Sequence, residues 1–511
     1  MNRQKKKLLL SNISFLVVCA IIAGLFFYSG NKNKKATIPP SDINKVEDLA
    51  GTKIGVQLGT TGDIYVSDYE GDEAGTIIEK YNKGADAILA LKQGKIDCIV
   101  IDEVAAKSFI AKNDDLSILE EEFTVEDYAI CVGKGNDQLL AKINDSLEEL
   151  SKNGTMDQIY NYYLNNEDGT YEPYVVKDIP RNNGTLTVAT NVAFPPYEYY
   201  ESNMPKGIDM DLARAIADYL GMELKIEDME FDSIIVAVSS GKADIGMAGM
   251  SVTPDRLKNI DFSESYATSK QVIIVRNGSS LSKQSFTEKF KQNFINDGRW
   301  KYLVKGLKNT LVITLFAAII GIILGFIIAI IRVGNNMNGS FGLWNWFCKL
   351  YLTVMRGTPA VIQLLIIYYV IFASVNVSKI LVAVIAFGLN SAAYVAEAVR
   401  AGIMSIDKGQ FEAGRSLGLS FNKTMIYIIL PQAIKNTLPA LGNEFIALIK
   451  ETSISGYIGL QDLTKGGDII RSTTWEAFMP YIAVALLYLI IVMILTWGVN
   501  CMERRLKKNE R

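Results

Sequence analysis

TLTVATNVAFPPYEYY (185–200), followed by KGIDMDLARAIADYLGM (206–222) and MEFDSIIVAVSSGKADIGMAGMSVTPDR (229–256), sets the reading of the whole chain. Thr185–Thr190 has the composition of a strand, and Phe194-Pro195-Pro196-Tyr197 that of a rigid turn. Asp209–Tyr219 has amphipathic helical spacing. Leu224–Met229 reads as a strand, Ile234–Ser240 as a helix, Ala243–Ala248 as a strand and Gln271–Val275 as the last strand. Such alternation favours an α/β fold. The loop 249–256 follows a strand and carries two hydroxyls and Arg256. That combination suits a carboxylate, because a guanidinium offers a two-pronged donor fork. Alone the signal is weak, since an arginine after a turn is ordinarily just solvated.

The pattern upstream is of the same kind. Lys53–Gln57 reads as a strand, and Gly59-Thr60-Thr61-Gly62 turns toward a helix. Ala85–Lys92 is helical, Asp97–Asp102 and Tyr128–Val132 are strands, and Leu139–Leu150 has helical spacing. A stretch rich in Asn, Gly and Pro, about 165–184, separates the two regions.

Flanking regions read as membrane. Residues 8–29 are apolar and follow Arg3, Lys5, Lys6 and Lys7, the pattern of an N-terminal signal or anchor helix over 1–30. Further apolar spans lie near 310–332, 351–373, 378–403 and 479–501. The segment 432–457 is weaker, with Asn436, Pro439, Asn443, Glu444 and Lys450. The basic tail 502–511 belongs in the cytoplasm. With both ends inside, the number of crossings is even, so 432–457 is also expected to cross. The soluble region between the first and second spans is then extracellular or periplasmic. Residues 277–301 form a linker in which Phe286, Phe290 and Phe294 recur at helical spacing, as in a helix lying along a membrane surface.

Composition narrows the function. The 511 residues are 49% hydrophobic with a net charge of −3, which gives no basic footprint for nucleic acid. There is no histidine, which removes His-based catalysis and most zinc sites. Cys19, Cys98, Cys131, Cys348 and Cys501 are scattered, without metal-knuckle or disulfide spacing. No phosphate-binding GxxxxGK[ST] motif occurs, so ATP would need another chain. No catalytic residues, metal or cofactor are expected.

Residues 185–276, through the three stretches above and IDFSESYA (260–267), resemble the first lobe of the polar-amino-acid binding proteins of ABC importers. Residues 44–165 resemble the second lobe and return segment of the same proteins, through DLAGTKIGVQLGTTGD (48–63), ALKQGKIDCIVID (90–102), YAICVGKGND (128–137) and KNGTMDQIYNYYL (152–164). The resemblance implies an α/β two-lobed periplasmic-binding-protein type II domain. Its lobes stand in permuted order and are joined by the linker 166–184. A circular permutation accounts for that order; a decayed tandem pair, with lobes paired within or between protomers, would give the same sequence. The resemblance further implies that Arg256 grips the α-carboxylate, helped by Thr60, Thr61 and the backbone near Ser251. It implies that Asp102 takes the α-ammonium with Gly249 and Ser251, and that Phe194 and Phe231 sandwich the side chain. Asn191 and Gln57 are placed at the ligand's distal end. Many relatives carry a carboxylate where Asn191 stands, which lowers the odds of a cationic ligand.

Residues 302–501 resemble the all-α permease subunits of these importers, with five transmembrane helices. The carriers are GLKNTL (306–311), Arg356-Gly357-Thr358-Pro359 and a cytoplasmic loop. In that loop Glu412-Ala413-Gly414 is followed at the family's spacing by Gly418, Ile428 and Leu430-Pro431. This spacing is that of the EAA loop, which docks on the ATPase subunit. Glycine at 414 in place of alanine costs up to ~1 kcal/mol of helix propensity. Glu397 and Arg400, near the inner end of a span, are candidates for the translocation path or for an ion pair within one helix. The resemblance implies a cell-membrane importer of a polar amino acid, a permease homodimer in the lipid bilayer, and separate ABC ATPase subunits. The rival reading is an amino-acid sensor or ligand-gated channel without active transport.

Overall fold

A computed structural model describes residues 39–508, apart from 72, 167–168, 203, 279–284, 374, 376 and 475. The expected N-terminal segment 1–30, with Cys19, lies outside the described residues, as does the end of the basic tail.

The soluble part runs β1 (Lys53–Gln57), α1 (Thr61–Val66), β2 (Ile77–Tyr81), α2 (Gly84–Lys92), β3 (Cys98–Asp102), α3 (Glu103–Ile110), β4 (Leu116–Gly133), α4 (Asp137–Lys152) and α5 (Thr155–Leu164). It continues through β5 (Thr185–Thr190), the hairpin β6 (Tyr199–Glu201) and β7 (Met204–Lys206), and α6 (Ile208–Leu220). Then follow β8 (Glu223–Asp228), α7 (Ile234–Ser239), β9 (Ile245–Gly246) and β10 (Ile260–Arg276). Among the described residues, eight strands form one sheet in the order β2-β1-β3-β10-β4-β9-β5-β8. At one end β1, β2 and β3 are parallel, and at the other β9, β5 and β8 are parallel. β3 (CIVID) is buried along its whole length, as a strand covered on both faces should be.

Two long strands join these ends. β4 and β10 pair antiparallel from Ile260 opposite Gly133 to Arg276 opposite Leu116, with register shifts between. β10 pairs with β3 at its C-terminal end, whereas β4 pairs with β9 at its own. An 18-residue strand reaches roughly 60 Å, enough to cross from one lobe to the other. The sequence pattern marks only Tyr128–Val132 of β4 and Gln271–Val275 of β10. The intervening stretches Leu119–Phe123 and Ser263–Lys270 are polar and partly exposed where they cross between lobes, so the alternation that marks a half-buried strand is broken. The last residues of the 185–276 segment therefore pair in the sheet of the opposite lobe. Residues 128–164 return to the lobe built on β5, β8 and β9, and α5 is tied to β10 there by Tyr160 Oη donating to the carbonyl of Tyr266 at 2.8 Å. The two lobes pair within this one chain.

The helical part contains α8 (Phe286–Phe290), α9 (Trp300–Asn338), α10 (Gly342–Gly357), α11 (Ala360–Ile366) with a wide turn to Ile371, and α12 (Lys379–Met404). It ends with α13 (Lys408–Ser416), α14 (Phe421–Thr424), α15 (Leu430–Glu451), α16 (Leu463–Thr474) and α17 (Phe478–Lys508). Among the described residues, α9, α12 and α17 are long and apolar enough to cross a membrane. The span expected at 351–373 falls on a helix pair, Gly342–Gly357 and Ala360–Ile371, bent by 109°. The break falls at Thr358, which is extended, before Pro359. Proline lacks an N–H and disfavours a helical residue before it. Gln363 fixes the bend, its amide donating to the carbonyls of Met355 (2.8 Å) and Thr358 (3.1 Å) and to the Thr358 hydroxyl (2.9 Å). The segment 432–457 is helical as α15 to Glu451 and then tightens into a 3₁₀ turn. Of the phenylalanine stripe, Phe286 and Phe290 are exposed, while Phe294 is buried with Tyr302, Leu463 and Ile469.

Candidate functional site

The lobes close over a cavity lined by Gln57, Thr60, Thr61 and Asp102 from one side and Asn191, Phe194, Phe231 and Gly249 from the other. The β1–α1 turn brings in the first three. Thr60 caps α1, its hydroxyl accepting from the N–H of Asp63 at 3.4 Å. Asp102 ends β3 and caps α3, accepting from the N–H of Ala105 at 2.8 Å. Gly249 has a φ of +52°, a region that favours glycine, and its missing side chain leaves room for the rings of Tyr128 and Phe194.

The remaining two expected residues flank the cavity. Ser251 and Thr61 hydroxyls meet across the cleft at 2.7 Å. Arg256 is buried, with its guanidinium 5.5 Å over the Phe231 ring. It donates to the carbonyl of Ser251 in its own lobe (2.6 Å) and to that of Gly59 in the other (2.8 Å). Gln57 donates to Asn191 across the cleft at 3.2 Å. Phe194 stacks on Tyr197 with ring centres 5.8 Å apart.

Several lining residues were not anticipated: Ile101, Glu126, Tyr128, Ala248 and Gln271. Glu126 accepts from Ser251, and Tyr128 donates to Asp102 at 2.7 Å. Glu126 and Gln271 stand on the two long strands, just beyond the stretches where the sequence pattern fades. The only signal was position: Gln271 opens a predicted strand and Glu126 lies two residues before another. Burial pushes the carboxyl groups of Asp102 and Glu126 up, against the hydrogen bonds of Ser269 and Ser251 respectively. Burial pulls Arg256 down, opposed by the charge of Glu126.

In the helical part, α13 exposes Glu412 and Ala413 and buries Gly414. A Cβ on Gly414 would lie 2.8 Å from side-chain carbons of Thr424 and Ile428, so the glycine permits a close turn-to-turn contact. Gly418, at φ +85°, ends the helix in the left-handed conformation, and Leu419 N–H reaches back to the Gly414 carbonyl at 3.2 Å. Leu430-Pro431 opens α15, with the proline in the first turn, where its missing N–H costs nothing. Glu397 accepts from Arg400 at 2.8 Å and also pairs with Arg332 of α9. It clamps two helices together. Cys98, Cys131 and Cys348 are buried free thiols. No group of metal-binding side chains occurs among the described residues.

The family model of bacterial extracellular solute-binding proteins, family 3, matches residues 186–456, from β5 through β10 and on into the helical part. The arginine transport system permease protein ArtQ of Bacillus subtilis is 40% identical over 211 residues, 41% of this chain and 94% of that protein. The glutamine transport system permease protein GlnP of Escherichia coli K12 is 37% identical over 210 residues, 40% of this chain and 93% of that protein. A crystal structure of an amino acid ABC transporter with histidines shares 39% identity, covering 44% of this chain and 100% of that one, at a TM-score of 0.40.

Proposed function

We propose that this chain, which belongs to the bacterial extracellular solute-binding proteins, family 3, and carries an amino-acid ABC transporter permease in the same polypeptide, captures a polar amino acid in its own binding domain and passes it to its own permease. The observation that carries the reading is convergence. Residues as far apart as Gln57 and Asn191, or Gly59 and Arg256, meet around one cavity. Arg256 takes the ligand carboxylate by exchanging its carbonyl partners for a stronger charged one. Asp102 takes the ammonium. Phe194 and Phe231 cover the side chain, and Gln57 and Asn191 meet its far end. Excluding water strengthens each polar contact.

The reversed order of lobes is a circular permutation, with the cut at a crossover between lobes and the former ends joined through 166–184. Five crossings follow the binding domain, the bent α10–α11 pair and α15 included, with the chain dimerised in the bilayer and the binding domain outside. Separate ABC ATPase subunits dock on α13. Exposed apolar side chains beside it, Leu417, Ile426 and Tyr427, support a protein partner there. ATP-driven closure of those subunits then opens the path.

Calorimetric titration of the purified chain with each of the common L-amino acids tests the receptor reading. Binding of a polar amino acid at micromolar levels or tighter is expected, and Arg256→Ala should weaken it by about 30-fold or more. A folded chain that binds none of them would sink it.

A further inference from the structure

We propose that the ligand's α-ammonium is held by Glu126 and Gln271 on the two long strands as well as by Asp102, so that the ribbon joining the lobes is itself part of the amino-acid site. This deepens the importer reading and rests on it. Glu126 and Gln271 are 6% and 5% exposed, and both line the cavity. Among the described residues, Oε1 of each has no hydrogen-bond partner. A buried acceptor left unpaired is costly, and two of them beside one cavity mark a place for donors. An ammonium carries three N–H donors and no acceptor, which matches such a set.

The strand register puts these oxygens together. Gln271 of β10 stands opposite Asp102 of β3 on one side and Thr124 of β4 on the other. Ser269, opposite Glu126, lies two residues before Gln271 and therefore on the same face of β10. That face looks onto Asp102, because the Ser269 hydroxyl donates to the Asp102 carboxylate. Directly opposed residues of neighbouring strands carry their side chains to one side of a sheet. Asp102, Gln271 and Glu126 thus form one acceptor patch across β3, β10 and β4. The register slips between Gln271 and Val272, a bulge of the kind that re-aims side chains beside sites.

Asp102 has little acceptor capacity left for a ligand. Its carboxylate already accepts from the Ala105 N–H (2.8 Å), the Tyr128 hydroxyl (2.7 Å) and the Ser269 hydroxyl. Glu126 has one oxygen engaged by the Ser251 hydroxyl and the other open. Ser251 also ties Glu126 to the carboxylate end of the site, since its carbonyl accepts from Arg256 at 2.6 Å while its hydroxyl donates to Glu126. An α-amino acid carries both charged groups on one carbon, so a carboxylate seated on Arg256 brings the ammonium within reach of Glu126. β10 pairs with β3 of one lobe and β4 with β9 of the other. An ammonium on Glu126 and Gln271 is therefore bound to the part of the receptor that both lobes share.

The test is calorimetric titration of the full chain in lipid nanodiscs with the twenty common L-amino acids, followed by the α-hydroxy acid that has the side chain of the tightest binder. Exchanging ammonium for hydroxyl removes the positive charge and leaves the rest of the ligand. Glu126→Gln keeps the size of the side chain; it should weaken the amino acid by about tenfold or more and change the hydroxy acid by less than about threefold. Gln271→Leu should weaken the amino acid in the same selective way, by about threefold or more. A residue that merely shapes the cleft would weaken both ligands alike. That outcome, or an unchanged affinity in Glu126→Gln, overturns the proposal and leaves the receptor reading in place. If the parent chain binds none of the amino acids, the receptor reading itself fails and the proposal falls with it.

Discussion

At the residue scale, the binding cleft rests on groups that water would otherwise claim. Arg256 is buried, and among the described residues its guanidinium is bonded to two backbone carbonyls and lies over an aromatic face, so a carboxylate entering the cleft finds a donor fork it can engage. Arg256→Lys should keep the charge but lose the fork, leaving binding weakened by calorimetry though less than in Arg256→Ala. Behind the cleft, Asp209 accepts from the Gly249 N–H at 2.8 Å and the Tyr266 hydroxyl at 2.9 Å. Burial raises its pKa to about 6 from 3.8. The folded state therefore holds a proton that the unfolded chain releases between pH of about 4 and 6. Stability from this group is fully present below about 4 and is lost as pH rises through about 6. Thermal unfolding of the binding domain followed from pH 4 to 7 should show Asp209→Asn with a flatter pH dependence than the parent; an unchanged slope would remove Asp209 from the account.

At the scale of elements, glycine decides how α13, the proposed coupling segment, packs. Alanine at 414 would gain about 1 kcal/mol of helix propensity. Its Cβ would also crowd Thr424 and Ile428 at 2.8 Å, and overpacking costs about 1–3 kcal/mol. The second effect exceeds the first, so Gly414→Ala is expected to lower amino-acid-stimulated ATP hydrolysis while leaving amino-acid binding intact; equal hydrolysis in both proteins would show the contact to be dispensable. Short strands and helices of the lobes were legible from the sequence because each carries its own period. β4 and β10 were legible only in part, since a strand crossing between lobes has neither face steadily buried. The helix at 351–373 looked continuous by hydropathy, and only Pro359 signalled the break.

At the scale of the whole molecule, receptor and permease meet at several places: α16 pairs with both lobes, and Lys242 donates to the carbonyls of Phe372 (2.9 Å) and Val375 (3.3 Å). Gly459, at φ +66°, lies so close to the receptor that a Cβ there would stand 1.6 Å from the Asp228 carbonyl oxygen. Gly459→Ala should therefore obstruct docking. Uptake by reconstituted vesicles is expected to fall sharply with amino-acid affinity unchanged, and normal uptake would mean that the lobes seat elsewhere.

The sequence by itself determined the α/β character of the receptor, the apolar helices, the spacing of the proposed coupling loop and the candidacy of Arg256 and Asp102. The first two are written in local periodicity; the loop spacing and the candidacy of Arg256 and Asp102 rest on short runs that resemble a known family. Tertiary structure alone decided that Glu126 and Gln271 belong to the cavity, that Gln57 bonds Asn191 across 134 positions, and that α16 faces both lobes. Those juxtapositions depend on how two long strands turn one lobe toward the other. A contact between distant segments leaves no period in either of them, because each residue's local pattern records only whether it is buried and not what buries it.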